Sequence, residues 1–199
     1  MGMPPAVTPR RANRLIARIV AISVLLSPFL LVTYTPSASA YSFTGCRSGR
    51  FAGSMNELYW KGNGITPYYS GVIDTAAGRW NAQDIPGDFQ SVGSSGTVII
   101  ERYSYTQGWY ALTSWNCNSG YYSGPVGVAL NSRTMDGLAY WQDKFVLIHE
   151  LGHIEGLGHT DAGCGVSIMR GDALTGDPGC ASADPPWYDD VNGARALYS

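Results

Sequence analysis

The sequence predicts an α+β fold in which strands come first, followed by a central helix and a small irregular C-terminal part that ends in a helix. Three observations carry this prediction. Strand-like segments dominate the middle of the chain, a strongly periodic helical segment follows them, and glycine and aspartate are frequent in most of what remains. The chain has 199 residues, and the part that we expect to fold, residues 41–199, has the length of one domain with a sizeable core.

Helices and strands are placed by periodicity and by end signals. Thr66 and Pro67 suit the start of a helix whose apolar residues recur at three- and four-residue steps until about Asn81. A second helix is expected over 141–157, with Phe145, Ile148, Leu151 and Ile154 on its buried side, and a last one over 189–198. Residues 86–96 are expected to form a loop. Strands rich in β-branched and aromatic residues are expected at 57–60, 97–105, 108–113 and 126–131.

The first forty residues are typical of a secretory signal peptide. They contain four arginines and no acidic residue, an apolar run over 15–32, and the small-residue cleavage pattern Ala38-Ser39-Ala40. A membrane anchor is the alternative, because the run is nearly long enough to cross a bilayer, but Pro28 interrupts it. Arg10-Arg11 leaves both the general secretory and the twin-arginine routes open. We expect a secreted, extracellular protein with no membrane attachment after cleavage.

Charge and cysteine content constrain the partners and the redox environment. Residues 41–199 carry 9 basic and 15 acidic side chains without a basic cluster, so we expect no nucleic-acid partner. An even number of cysteines in an exported protein predicts two disulfides. Four cysteines allow three pairings, of which we expect Cys46–Cys117 and Cys164–Cys180. A cysteine-rich metal site is the weaker reading, because no C-x-x-C spacing occurs.

All three histidines of the chain lie in one eleven-residue stretch, HELGHIEGLGH, residues 149–159. His149 and His153 are four residues apart, so on a helix they share one face and could bind one metal ion. Gly156 suits the end of that helix, because glycine easily adopts the left-handed conformation that would return His159 as a third ligand. Three imidazoles leave one position of a tetrahedral zinc ion open, which is typical of a catalytic site.

Glu150 would project beside the ligand face, within reach of a water molecule on the zinc ion. Zinc lowers the pKa of such a water to about 7. Glu150 could then act as general base while the water attacks a carbonyl, and return the proton to the leaving amine. A chance cluster on a surface helix is improbable with five specified positions. A non-catalytic zinc clip is the other alternative, but it gives Glu150 no evident task.

The pattern H-E-x-x-H-x-x-G-x-x-H is formed by His149, Glu150, His153, Gly156 and His159. It resembles the zinc motif of the metzincin metalloproteases, and this version resembles the matrixins within that family. The resemblance implies a zincin-like fold with a twisted mixed β-sheet and an active-site helix, one catalytic zinc ion and hydrolysis of peptide bonds. It implies a minimal, bacterial-type catalytic domain over residues 41–199, acting on a protein or peptide substrate.

Further features extend the resemblance. Met169 resembles the methionine of the family's Met-turn, which implies an apolar floor under the metal that does not bind it. Thr160 matches the serine or threonine that is usual in matrixins, and residues 189–199 are similar to their last helix. By analogy, Tyr110 and Ala111 would lie on the edge strand along which an extended substrate adds its backbone to the sheet.

The sequence departs from the matrixin pattern in three respects. No histidine remains for the second, structural zinc ion of many matrixins, so we expect none, whereas aspartates beside glycines leave calcium binding open. The Met-turn lacks its usual proline, and a Cys164–Cys180 disulfide could stiffen it instead. No propeptide with a cysteine switch is recognisable, and Cys46 fits a disulfide better than a thiolate on the zinc ion.

Two other classes of function remain open from the sequence. The 13 tyrosines and 6 tryptophans could present an aromatic surface to glycans or proteins, with zinc as a structural clip. The same chemistry could instead hydrolyse a cell-wall peptide or a side-chain amide, because the metal acts on the carbonyl alone. We expect a monomer. The natural substrate, the cleavage-site preference and the means of latency, for which a separate inhibitor would suffice, do not follow from the sequence.

Overall fold

Five strands form the central sheet of the computed structural model, which describes residues 41–49, 57–171, 180 and 184–199. The expected signal peptide, residues 1–40, lies outside this part of the chain. In spatial order the strands are β3 (Phe89–Val92), β2 (Glu57–Lys61), β4 (Val98–Tyr103), β8 (Val126–Asn131) and β5 (Ala111–Ser114). The first four run parallel to one another, whereas β5 runs antiparallel to β8. The predicted α+β class with a mixed sheet is therefore confirmed.

Two long helices pack against each other and against the sheet: α1 (Pro67–Asn81) and α3 (Tyr140–Ile154). The Thr66 side chain accepts a hydrogen bond from the backbone N–H of Tyr69 and caps α1, as the sequence predicts. Trp80, which is fully buried in α1, donates a hydrogen bond from Nε1 to the carbonyl oxygen of Ile148, 2.9 Å away. This bond joins α1 to the helix that carries two of the three histidines.

Short elements complete the described fold. A single turn, α2 (Ser132–Met135), follows β8, and α4 (Tyr188–Tyr198) is the C-terminal helix that the sequence predicts. No helix among the described residues is both long and apolar enough to cross a membrane. Among the described residues, four two-residue strands form two pairs outside the main sheet: β1 (Ser42–Phe43) pairs with β9 (Leu157–Gly158), and β6 (Cys117–Asn118) pairs with β7 (Tyr121–Tyr122).

Three predicted boundaries are wrong. The strand expected over 108–113 begins only at Ala111 and ends at Ser114. Residues 86–96 are not a continuous loop, because β3 forms there and pairs with β2; only Phe89 of its four residues is buried, which leaves little pattern to read. The helix expected to reach residue 157 ends at Ile154, because Gly156 adopts a φ of 94° and the chain turns there. Leu157 then enters β9 instead of continuing the helix.

The described cysteines form two disulfides, in agreement with the even cysteine count. One joins Cys46, just after β1, to Cys117 in β6, with the Cα atoms 5.8 Å apart. The other joins Cys164 to Cys180, with the Cα atoms 5.7 Å apart, and closes a loop that follows the third histidine. No thiol is left free among them. Disulfides of this kind persist in oxidising environments, which is consistent with an extracellular protein.

Asp143 carries an unusual carboxyl group in the first turn of α3. Its side chain is almost fully buried, its Oδ2 accepts a hydrogen bond of 2.7 Å from the Tyr68 hydroxyl, and its Oδ1 has no hydrogen-bond partner in the described part of the chain. Burial raises the pKa of Asp143 to about 6; the Tyr68 bond and Arg102 oppose the increase, and Asp136 adds to it. The folded protein therefore holds this proton more tightly than the unfolded chain, whose aspartates titrate near 3.8.

Replacing Asp143 with asparagine should change how stability depends on pH. The contribution of Asp143 is fully present below about pH 4 and is lost as the pH rises to about 6, because the folded-state pKa is the higher one. The variant should therefore gain stability relative to the wild type between pH 4 and pH 7, by up to about 3 kcal/mol at about 1.4 kcal/mol per pKa unit. Urea unfolding of the metal-free proteins at both pH values measures this. The exposed Asp88→Asn is the control, and a difference between Asp143→Asn and wild type that is equal at both pH values would contradict the assignment.

Candidate metal centre

Three imidazoles converge at the C-terminal end of α3. His149 and His153 lie one turn apart on the same face of the helix, and His159 follows the turn at Gly156 and strand β9. Nε2 of His159 is 3.1 Å from Nε2 of His149 and 3.1 Å from Nε2 of His153. One nitrogen from each ring can therefore contact a single ion, since all three lie within 4.8 Å of one another.

Main-chain carbonyls orient two of the rings. Nδ1 of His149 lies 2.8 Å from the carbonyl oxygen of Ile168, and Nδ1 of His153 lies 2.8 Å from that of Leu157. A carbonyl oxygen only accepts hydrogen bonds, so Nδ1 carries the proton in both rings and Nε2 presents a lone pair. Metal-binding histidines are typically held in this way.

These donors fit a metal ion of the size of zinc. Nε2 of His159 carries at most one hydrogen, so it can donate to only one of the two lone pairs that face it at 3.1 Å, whereas a cation among the three nitrogens would contact all of them. Nitrogen ligands about 2.0–2.1 Å from a tetrahedral zinc ion are about 3.3 Å apart, which is close to the observed spacing. Burial also lowers the pKa of His149 and of His153 to about 4, so both rings are neutral at pH 7, as ligands must be.

Glu150 lies beside the three rings without joining them. Its side chain is buried, and its Oε2 accepts a hydrogen bond from the Thr113 hydroxyl on strand β5. Burial raises the pKa of the Glu150 carboxyl group, while the Thr113 bond and the neighbouring histidines oppose the increase. Glu150 shares a cavity of about 340 Å³ with two of the histidines. The cavity is lined by Thr44, Ala111, Leu112, Thr113, Trp115, Glu150, His153, Gly158 and His159.

Met169 packs under the helix that carries the histidines. It is 1% exposed, and its Sδ occupies the space that a Cβ on Gly152 would need. Its carbonyl oxygen accepts a hydrogen bond of 3.1 Å from the backbone N–H of Thr160, the residue after the third histidine. The methionine and the histidine segment are thus held together by both packing and backbone contact.

Asp190, in the first turn of α4, holds the turn that precedes Met169. Its fully buried carboxylate accepts hydrogen bonds from the N–H of Ile168 at 2.9 Å and of Trp187 at 2.8 Å, and from the Ser167 hydroxyl. Because the Ile168 carbonyl orients His149, this carboxylate supports the metal centre through one intervening residue. The sequence offers no signal that connects residue 190 with residue 168, and this role is not among the predictions above.

The structure brings most of the predicted site residues together. His149, His153 and His159 lie together, Glu150 shares a cavity with His153 and His159, Met169 packs against Gly152 of the same helix, and Ala111 lines the cavity wall. Tyr110 precedes β5 and packs against the hydrophobic core instead. Thr113 is a further contact that sequence reasoning missed, because only the register of β5 shows that its side chain faces Glu150.

Comparison with known proteins gives a likeness in fold. No protein-family model and no curated protein matches the chain. Ninety chains of solved structures match. One is from the GM1-bound form of the ECX AB5 holotoxin. It is 16% identical to this chain, the match covers 74% of this chain and 81% of that chain, and the TM-score is 0.52. Another is myroilysin: 16% identity, 60% of this chain and 54% of that chain covered, TM-score 0.42. At such identity the toxin likeness shows a shared α+β fold alone, on which the chain carries three histidines able to hold a metal ion.

Proposed function

We propose that this protein is a secreted zinc endopeptidase of the metzincin type, with residues 41–199 as its catalytic domain. The observation that supports this most is that three imidazole Nε2 atoms lie together while the Glu150 side chain shares a cavity with two of these rings. A metal-binding role alone would need the histidines but not a buried acidic group beside them. Two disulfides are consistent with export of the chain.

Each residue of the centre has a separate part in the proposed reaction. A zinc ion held by His149, His153 and His159 would lower the pKa of a water molecule and polarise the substrate carbonyl. Glu150 accepts a proton from the attacking water and delivers it to the leaving amine nitrogen. The raised pKa of Glu150 suits this double task, because a general acid–base group works best with a pKa near the working pH.

The sheet edge beside the cavity provides a place for the substrate. β5 is the last strand of the sheet, so one of its edges is unpaired within the sheet, and four of the cavity residues belong to it or follow it closely. An extended peptide can add its backbone to such an edge and so place a carbonyl next to Glu150. Ala111 would contact this peptide, and Met169 would serve as the apolar floor under the zinc ligands.

Metal content and peptide cleavage together test the proposal. The purified protein should contain about one zinc ion per chain and cleave a quenched-fluorescence peptide library. A chelator should abolish cleavage by removing the ion that activates the water, and added zinc should restore it, because His149 and His153 are neutral at pH 7 and free to bind the metal again. Zinc-loaded protein that cleaves no peptide would overturn the proposal. Binding of glycans by that inactive protein would favour the zinc-clipped binding module, and hydrolysis of cell-wall peptides alone would favour the amidase alternative.

A further inference from the structure

Thr113 makes a direct contact with the side chain of Glu150. Its own side chain is only 7% exposed, and its Oγ1 donates a hydrogen bond to Oε2 of Glu150. The same oxygen lies 3.2 Å from the main-chain carbonyl oxygen of Glu150. A threonine hydroxyl has one hydrogen to donate, and the closer approach to Oε2 indicates that the carboxylate receives it.

The position of this hydroxyl is set by the sheet. Thr113 pairs with Val128 across the β5–β8 ladder, and its neighbours Leu112 and Ser114 point to the other face. A β-branched side chain also has restricted rotation about its first torsion. The strand therefore holds the hydroxyl in one position, where it donates its hydrogen bond to the Glu150 carboxylate.

We propose that Thr113 is a positioning residue for Glu150, which selects the carboxylate oxygen that handles the proton. This inference rests on the proposed function above. The terminal torsion of a glutamate is broad and nearly two-fold, so an unrestrained carboxylate would present either oxygen in a range of planes. The hydrogen bond holds Oε2 and restricts the plane of the carboxylate, so in this proposal the other oxygen, Oε1, exchanges the proton.

In this proposal a single oxygen atom, Oε1 of Glu150, carries the proton through the reaction. As the oxygen of the water forms its bond to the substrate carbonyl carbon, its proton passes to Oε1 of Glu150. As the carbon–nitrogen bond breaks, the same proton passes from Oε1 to the amine nitrogen. The Thr113 hydroxyl keeps its own proton throughout and contacts neither the substrate carbonyl nor the amine, so it acts on the reaction only through Glu150.

Two substitutions distinguish the effect of the Thr113 hydroxyl from the effect of the size of its side chain. Thr113→Val keeps the shape and removes the donor, whereas Thr113→Ser keeps the donor. For zinc-loaded protein we expect Thr113→Val to lower kcat about 10- to 100-fold with KM within about twofold of wild type, the range for a hydrogen bond to a charged group. Thr113→Ser should retain kcat within about threefold. The matched control is Thr97→Val, which removes a hydroxyl bonded to the Leu58 carbonyl oxygen, away from the cavity.

A second readout does not depend on activity. Crystal structures of the zinc-loaded variants should show Glu150 in the wild-type orientation in Thr113→Ser and in a different or divided orientation in Thr113→Val, with equal zinc content in both. The inference is overturned if Thr113→Val keeps its kcat, if Thr113→Ser loses as much as Thr113→Val, or if Glu150 does not move. Failure of the wild type to cleave any peptide would instead overturn the proposed function, and the crystal structures would still test the contact.

Discussion

Glu150→Gln should lower kcat for peptide cleavage by about 10²- to 10⁴-fold, the range in which a general base contributes to catalysis. Glutamine has nearly the same shape, and its amide oxygen can still accept the hydrogen bond from Thr113. It cannot take a proton from water near pH 7. Because the three histidines and not Glu150 group as metal ligands, zinc content should be unchanged. The measurement is kcat per zinc-loaded chain on one peptide substrate.

A matched control variant tests whether loss of a buried or surface carboxylate elsewhere also lowers kcat. Glu101→Gln makes the same chemical change on β4, where Glu101 accepts a hydrogen bond of 3.3 Å from Asn63 and does not line the cavity. Its kcat should equal that of the wild type. Loss of zinc from Glu150→Gln would show that Glu150 helps to bind the metal, and full activity would show that it is not the base. Either result would contradict the proposed mechanism.

Asp190→Ala should destabilise the fold by about 3–5 kcal/mol, because three buried donors lose the acceptor that they share. The substitution leaves the N–H groups of Ile168 and Trp187 and the Ser167 hydroxyl without their acceptor, and each buried orphan costs about 1–3 kcal/mol. Zinc affinity should also fall, because the Ile168 carbonyl that orients His149 belongs to the same turn.

Urea unfolding of the metal-free proteins gives the stability difference, and a competition titration with a chromophoric chelator gives the zinc affinity. Asp88→Ala, which removes an exposed carboxylate far along the chain, serves as the control and should change neither quantity. A loss below about 1 kcal/mol for Asp190→Ala would contradict the role of this carboxylate as the main acceptor of the turn.

The parts of the site that the sequence predicts are those encoded within one or two helical turns. His149 and His153 are related by the helix repeat, and a glycine with positive φ returns His159, so the whole ligand set is a local pattern. The capped start of α1 is equally local. Strand composition predicts where the strands lie. Their spatial order and direction depend on pairing between distant segments and could not be predicted from composition.

The parts that the sequence does not predict join distant residues. Thr113 and Glu150 are 37 positions apart, and Asp190 and Ile168 are 22 positions apart. Whether residue 113 faces a helix depends on a strand register, and one position of shift would turn its side chain to the other face. Strand ends are equally hard to predict: the composition predicts Tyr110 within the edge strand, whereas the strand begins at Ala111. Such contacts are set by tertiary packing, which no short pattern records.

The support that α4 gives to the Met169 turn also bears on the order in which the chain matures. A ribosome adds about 5–20 residues per second from the N-terminus, so a nascent chain carries all three histidines before Asp190 exists to hold the Ile168 segment. The pairing of β1 with β9 also brings Ser42 into contact with His159, 117 positions later in the sequence. Contacts between residues so far apart in the sequence form slowly. The histidine pattern itself is local, but the contacts that hold His149 through Ile168 and that join His159 to β1 are complete only after Asp190 has been synthesised and Ser42 has reached the segment that follows α3.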